Sequence, residues 1–263
     1  MKYSLSCRQT NEYLKQADEI KFQYRDHKAI PDFFEKYPEA RIDLALPYFM
    51  EEREIDWDAI KMYWGLSQQK FILGVVSAED IDQAKKIGIP MYHRAPVHSF
   101  QELRDMSNCG IEGVYLGAPL FFQMDKVKRN FPDMKVRAVA NVALPEGSLS
   151  PNSGVCGLWI RPEDVPTYEE YVHLIEFTAE KQPEQALFRI YALQHKWQGD
   201  MNMIIQDLNH PAVNRMIPPT LAESRIHCGQ RCMENDICHL CQRTLDLANP
   251  DLIRKVLEKQ SDT

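Results

Sequence analysis

The sequence predicts an α/β fold, a (β/α)8-type barrel with a C-terminal helical, cysteine-rich appendage. Three observations lead there. Apolar or alternating runs recur along the first two thirds of the chain, most of them separated by helical stretches, the rhythm of βαβ units on a parallel sheet. A helix–glycine–strand phrase occurs twice in succession: 80–86, Gly88 and 89–93, then 100–106, Gly110 and 114–116. No dinucleotide-binding glycine fingerprint accompanies these units, which favours a closed barrel over an open doubly wound sheet. The length of 263 residues suits one barrel with a small addition, since such barrels take about 250 residues.

Nine runs read as strands: 2–7, 19–24, 41–46, 70–76, 90–95, 113–117, 135–141, 157–160 and 172–177. The run Phe71-Ile72-Leu73-Gly74-Val75-Val76 is apolar throughout, as a strand covered on both faces must be. The run 41–46 instead alternates in its first half. Helices are expected over 11–17, 31–37, 56–66, 78–87, 100–106 and 121–130. Pro31 fits a first helical turn, where its missing N–H costs nothing. Ser77 ahead of Glu79 and Asp80 reads as an N-cap followed by acids, and Asp56 as a cap of its own helix. Trp57, Tyr63 and Trp64 share a helix and are expected to serve packing. Residues 145–157 have loop chemistry and follow a strand end, so they read either as a lid or as a solvent loop.

The rhythm changes after residue 177. A helix is expected over 183–197, a short apolar run over 202–208 and a last helix over 250–259. The chain therefore divides into a barrel, 1–177, and a C-terminal extension, 178–263.

Composition narrows the function classes. The hydrophobic fraction of 44% gives ample core, and the net charge of −7 comes with no basic run, so a duplex-DNA partner is not expected. No apolar stretch is long enough to span a membrane. The N-terminal residues lack the apolar segment and cleavage site of a secretory signal. A cytoplasmic protein is expected, whose seven cysteines are thiols or metal ligands rather than a disulfide framework.

Four of them form the strongest motif. Cys228, Cys232, Cys238 and Cys241 are spaced C-x3-C-x5-C-x2-C, so two short-spaced pairs can turn four thiolates toward one point. Such a set suits a structural Zn²⁺, with a [4Fe–4S] cluster as the alternative. Metal-free thiols or a disulfide pair remain the plain reading, and His227 or His239 could replace one thiolate. Cys7 closes the first strand beside Arg8, yet isolated cysteines are most often simply buried.

Barrel active sites form at the C-terminal ends of the strands, and polar residues there are the other candidates. Asp26, His93 and Glu176 could run acid–base chemistry. Arg25, Asn141 and Arg161 could bind substrate, with Arg25 and Arg161 gripping an anion. The competing reading is local: Arg–Asp pairs often only stitch loops together, and 161–164 equally suits a helix start.

At Cys109-Gly110-Ile111-Glu112-Gly113-Val114-Tyr115-Leu116-Gly117-Ala118 the chain resembles the collagenase-like peptidase family of bacterial (β/α)-barrel proteins, which carries a similar G-x-x-x-V-Y-L-G phrase. Pro119 and Leu120 stand where that family's signature has an aliphatic residue and a cysteine. The resemblance implies a barrel and, in several members, a cysteine-ligated [4Fe–4S] cluster with roles in RNA base or quinone modification; others are peptidases.

The expected protein is thus a barrel enzyme with a four-cysteine metal site, acting on a small anionic or RNA-derived substrate. The alternatives are a non-catalytic barrel used as an interaction or assembly module and, on the resemblance alone, a peptidase-like hydrolase. An enzyme should show a concave pocket at the strand C-termini with His93, Asp26 and Arg161 converging on it. A module should show that face filled.

Overall fold

Eight parallel strands follow one another round a closed barrel: β1 (Lys2–Ser6), β2 (Glu19–Gln23), β3 (Ile42–Ala45), β4 (Phe71–Val75), β5 (Met91–Val97), β6 (Ile111–Leu116), β7 (Lys135–Val139) and β8 (Leu174–Glu176). The structure is a computed structural model that describes residues 1–9, 11–48, 54–142, 158–179, 182–192, 203–205, 222–223 and 226–227. Closure runs through β1, which pairs with β2 at Ser4–Glu19 and with β8 at Tyr3–Ile175. The His173 N–H donates to Val136 O at 2.8 Å, tying the β8 segment to β7.

Alternation sets what each strand buries. Ile20 and Phe22 of β2 face outward, and Phe22 meets Phe33 edge-on at 5.1 Å. Phe33 belongs to α2 (Ile30–Lys36), whose Pro31 lies in the first turn. All five residues of β4 are buried, as its uninterrupted apolar run requires. The first helix, α1, is short (Asn11–Leu14). Both predicted caps are present. Asp56 accepts from the Ala59 N–H at 2.9 Å at the start of α3 (Trp57–Leu66). Ser77 and Asp80 form a reciprocal capping box on α4 (Ala78–Ile87), which ends at Gly88 with φ of 83°. Helix α5 (Phe100–Asn108) is followed by Gly110 at φ 73°. These left-handed glycines turn the chain from helix into strand.

Two expectations are corrected. The run 157–160 is not a strand: of its described residues, Trp159 and Ile160 are fully buried outside the barrel ladder, with Ile160 N–H on Ala140 O at 2.9 Å. A short apolar run looks the same whether it enters a sheet or only the core. The single helix expected over 121–130 is two, α6 (Ala118–Phe121) and α7 (Met124–Asn130), joined by a turn in which Gln123 N–H reaches Leu120 O.

The chain divides into two compact units. The first, Met1–Gly117 with Lys128–Ala138 and Val172–Glu176, carries the barrel. The second comprises the described residues of Ala118–Val127, Val139–Tyr171 and those from Phe177 onward. It contains the 3-10 turn Pro162–Asp164, α8 (Val165–Tyr168) and α9 (Glu184–Ala192). Its core includes Tyr191, which packs on Phe177 at 5.0 Å and donates to Ile160 O at 2.7 Å. Among the described residues no helix is long and apolar enough to cross a membrane. The expected lid at 145–157, the four-cysteine motif and the helix over 250–259 lie outside the described residues.

Candidate active site

The lumen of the barrel is polar. Alternation places Glu19, Lys21 and Gln23 of β2 on the inner face, followed round the barrel by Asp43 and Ala45, Tyr92, Tyr115, Arg137 and Glu176; Arg94 follows Tyr92 across an irregularity in the β5–β6 register. Arg137 is the hub. Its guanidinium donates to Glu19 at 2.9 Å and to Glu176 at 2.8 and 3.1 Å, and it also bonds Asp43. It stacks over the Tyr92 ring, 3.9 Å from the centroid, a cation–π contact. Tyr92 donates its hydroxyl to Asp43 at 2.9 Å. Tyr115 and Lys21 both donate to Glu176. Arg41 lies 3.1 Å from Glu19 at the edge. Three carboxylates thus face three cations.

Glycines make room for this arrangement. A Cβ at Gly74 of β4 would stand 2.5 Å from the Tyr92 hydroxyl. One at Gly113 of β6 would stand 3.1 Å from the Tyr92 Cβ.

The titration behaviour follows from burial and neighbours. Burial raises the Asp43 carboxyl to about 6 even though Arg137 and Lys21 pull it down. Burial would raise Glu176 too, but Lys21, Arg137 and the hydrogen bonds from Lys21 and Tyr115 win and hold it at about 2. For Lys21, burial lowers the pKa, and Glu176, Tyr115 and Asp43 outweigh it, so the ammonium stays charged above the ordinary lysine range. Burial and Glu176 keep Tyr115 protonated. At neutral pH the network holds a fixed ammonium, a fixed carboxylate and a neutral phenol.

A cavity of about 670 Å³ opens at the C-terminal end of this lumen, lined by Gln23, Tyr24, Arg25, Ala45, Pro47, Tyr48 and Arg94. Three of these stand two residues beyond network members on the same strands: Gln23 beyond Lys21, Ala45 beyond Asp43, Arg94 beyond Tyr92. The cavity therefore lies one layer above the charged network. Arg94 is set in place by the Leu46 carbonyl and by the Tyr48 ring, 4.3 Å from its guanidinium carbon. Tyr48 in turn donates to Arg94 O at 2.7 Å. Tyr24 is fixed by its stack on His27 at 4.5 Å and by the Asp56 N–H, which its hydroxyl accepts at 2.6 Å.

The sequence-predicted residues fall in different places. Glu176 is in the network, and its partners there are Lys21, Tyr115 and Arg137 rather than Asp26 or His93. Asp26 lies in the turn Tyr24–Ala29 and binds Arg8 at 3.0 and 3.1 Å. His93 neighbours the inward-facing Tyr92 and so projects from the opposite face of β5, its Nδ1 2.9 Å from Ala95 O. Arg25 lines the cavity with 72% of its side chain exposed. In the second unit, Asn141 exchanges hydrogen bonds with the Thr178 backbone at 2.8 and 2.9 Å. There too, buried Arg161 forks onto Asp164 with two bonds of 2.6 Å, the local alternative anticipated for 161–164. The ligand set Cys228, Cys232, Cys238 and Cys241 lies outside the described residues. Among those described, no cluster of His, Cys, Asp or Glu could hold a metal ion. Burial and Asp26 push the Cys7 thiol up against the pull of Arg8, the opposite of the shift that activates a cysteine nucleophile.

Arg94, beside His93, belongs to the strand-end polar groups the sequence points to, whereas Lys21, Asp43, Tyr92, Tyr115 and Arg137 were not anticipated. For Lys21 and Arg137 the signal was the polar–apolar alternation of Glu19-Ile20-Lys21-Phe22-Gln23 and Lys135-Val136-Arg137-Ala138-Val139 inside strands of a parallel barrel.

No family model and no curated protein matches the chain. Among solved structures, the chain is similar to a cube-shaped, highly porous protein cage designed by fusing symmetric oligomeric domains. That match has a TM-score of 0.44 and 12% identity over 99% of this chain and 84% of that one. It is also similar to a glycerol uptake operon antiterminator-related protein from Thermotoga maritima, with a TM-score of 0.39 and 14% identity over 68% of this chain and 95% of that one. At these scores neither likeness bears on the chemistry.

Proposed function

We propose that this barrel is an enzyme whose mouth cavity takes a small anionic substrate. The observation that carries the reading is the cavity itself, open at the strand C-termini and directly above the charged lumen. Arg94 grips the anion with a guanidinium already oriented by Leu46 O and Tyr48, so little freedom is lost on binding. Arg25, exposed on the same rim, adds a second guanidinium. The charged network beneath supplies fixed electrostatics of the kind that stabilises developing charge. RNA-derived anions belong to this class because they combine a phosphate with a ring that Tyr24 or Tyr48 can face. An open cavity on this face favours an enzyme over a non-catalytic interaction module, whose face should be filled.

Isothermal titration with inorganic phosphate and with uridine monophosphate tests the reading. Binding should weaken about tenfold or more in Arg94→Met, the loss of one charge-assisted pair. Equal affinity in Arg94→Met and the parent chain, or no binding of either anion, overturns it.

A further inference from the structure

The inner face of β2 grades from closed to open. Glu19 is buried, Lys21 part-exposed and Gln23 exposed. The side chains of Glu19, Asp43 and Arg137 are at most 4% exposed, whereas 21% of the Lys21 side chain meets solvent. The exposure thus rises along β2 toward Gln23, which lines the cavity, so the open side of Lys21 is the one that faces the cavity. An ammonium carries three donors, and among the described residues Lys21 spends one, on Glu176. Two remain for whatever enters from above.

The surroundings restrict what that can be. The network is already balanced, with Glu19, Asp43 and Glu176 against Lys21, Arg137 and Arg41. A second full anion at the inner end would sit beside Glu176 and Asp43 without a counter-charge, a costly arrangement in a buried site. A neutral carbonyl oxygen accepts from the ammonium and adds no charge. Two residues of β2 separate the Lys21 layer from the rim at Gln23, a rise of about 7 Å.

We infer that the substrate is an oxo acid or a compound of the same shape: a monoanion bound at Arg94 and Arg25, with a carbonyl oxygen on the order of 7 Å inward accepting from Lys21. This rests on the mouth-cavity reading and names its substrate class. Lys21 acts there as a fixed cation that stabilises negative charge developing on that oxygen. It does not act as a Schiff-base amine, which must shed its proton to attack.

The test is calorimetric titration of the full chain with γ-oxopentanoate, δ-oxohexanoate and ε-oxoheptanoate, each beside its plain acid and its dicarboxylate. At one chain length the oxo acid should bind about tenfold or more tighter than the plain acid, the contribution of a hydrogen bond to a charged donor. That advantage should vanish in Lys21→Met while the plain acids bind as before. Ala45→Leu closes the passage from the rim without touching any charge; it too should abolish the advantage, and it serves if Lys21→Met does not fold. Equal binding of oxo and plain acids, both weakened by Arg94→Met, overturns this inference and leaves the mouth-cavity reading standing. Tighter binding of the dicarboxylates overturns it as well. Failure of every acid to bind overturns this inference, and the mouth-cavity reading falls with it only if phosphate and uridine monophosphate fail to bind as well.

Discussion

Glu176→Gln removes one negative charge from the centre of the lumen and keeps the shape of the side chain. Glu176 accepts from Lys21, Tyr115 and Arg137, and its carboxyl is held at about 2 against an ordinary 4.5. A depression of this size corresponds to about 3 kcal/mol of preference for the folded, ionised state. The same figure comes from the other side, since breaking one partner of a buried ion pair costs about 3–5 kcal/mol. Urea denaturation at pH 7 should show the variant less stable by that amount, with a melting temperature lower by roughly 6–12 °C. The sign of the pH dependence follows from the depressed carboxyl. Its contribution is complete above the unfolded value and is lost as pH falls toward the folded one, so the gap between the two proteins should narrow to roughly half or less by pH 3. Asp43, raised to about 6, acts in the opposite sense: its folded form keeps the proton longer, so it costs stability as pH rises from about 4 to 6. Glu176 is one of the charges that raise Asp43, so the Gln variant relieves part of that cost and the gap at pH 7 is reduced accordingly. A Glu176→Gln variant as stable as the parent, or a gap that does not change between pH 3 and 7, would refute the claim that Glu176 is ionised and paired in the folded lumen.

Gly74→Ala should destabilise the barrel by about 2–3 kcal/mol in urea titration. The new Cβ would stand 2.5 Å from the Tyr92 hydroxyl and 2.6 Å from its Cζ, forcing the ring off Asp43; unchanged stability would mean that Tyr92 has another place to go. Elemental analysis with a visible spectrum, on protein purified without oxygen, checks the cysteine motif. About one zinc per colourless chain is expected of Cys228, Cys232, Cys238 and Cys241. Iron and sulfide in a brown protein would replace zinc by a [4Fe–4S] cluster, and the absence of both would remove the ligand set.

What the sequence made legible was local. The capping box at Ser77 and Asp80, the Asp56 cap and the helix-ending glycines depend on residues a few positions apart, and each formed as read. The barrel itself followed from their repetition. The lumen network depends on something no local pattern carries. Arg137 meets Glu19 across 118 residues of sequence and Asp43 across 94, distances bridged only once closure and register are fixed. Taken singly, Lys21 or Arg137 looks like a polar residue in a strand of ordinary alternation. The two facts together are informative, because a barrel strand has both faces covered, so polar residues at every second position must line the lumen. Asp26 and Arg161 show the converse. In the sequence each follows a strand-like run as a strand-end catalytic group would, yet each is engaged by a neighbour, Arg8 and Asp164 respectively. Buried ion pairs add little net stability over aliphatic packing of the same volume. A lumen built from Lys21, Asp43, Arg137 and Glu176 is therefore poorly explained by net folding stability alone, which supports the proposal that the cavity above it binds a ligand.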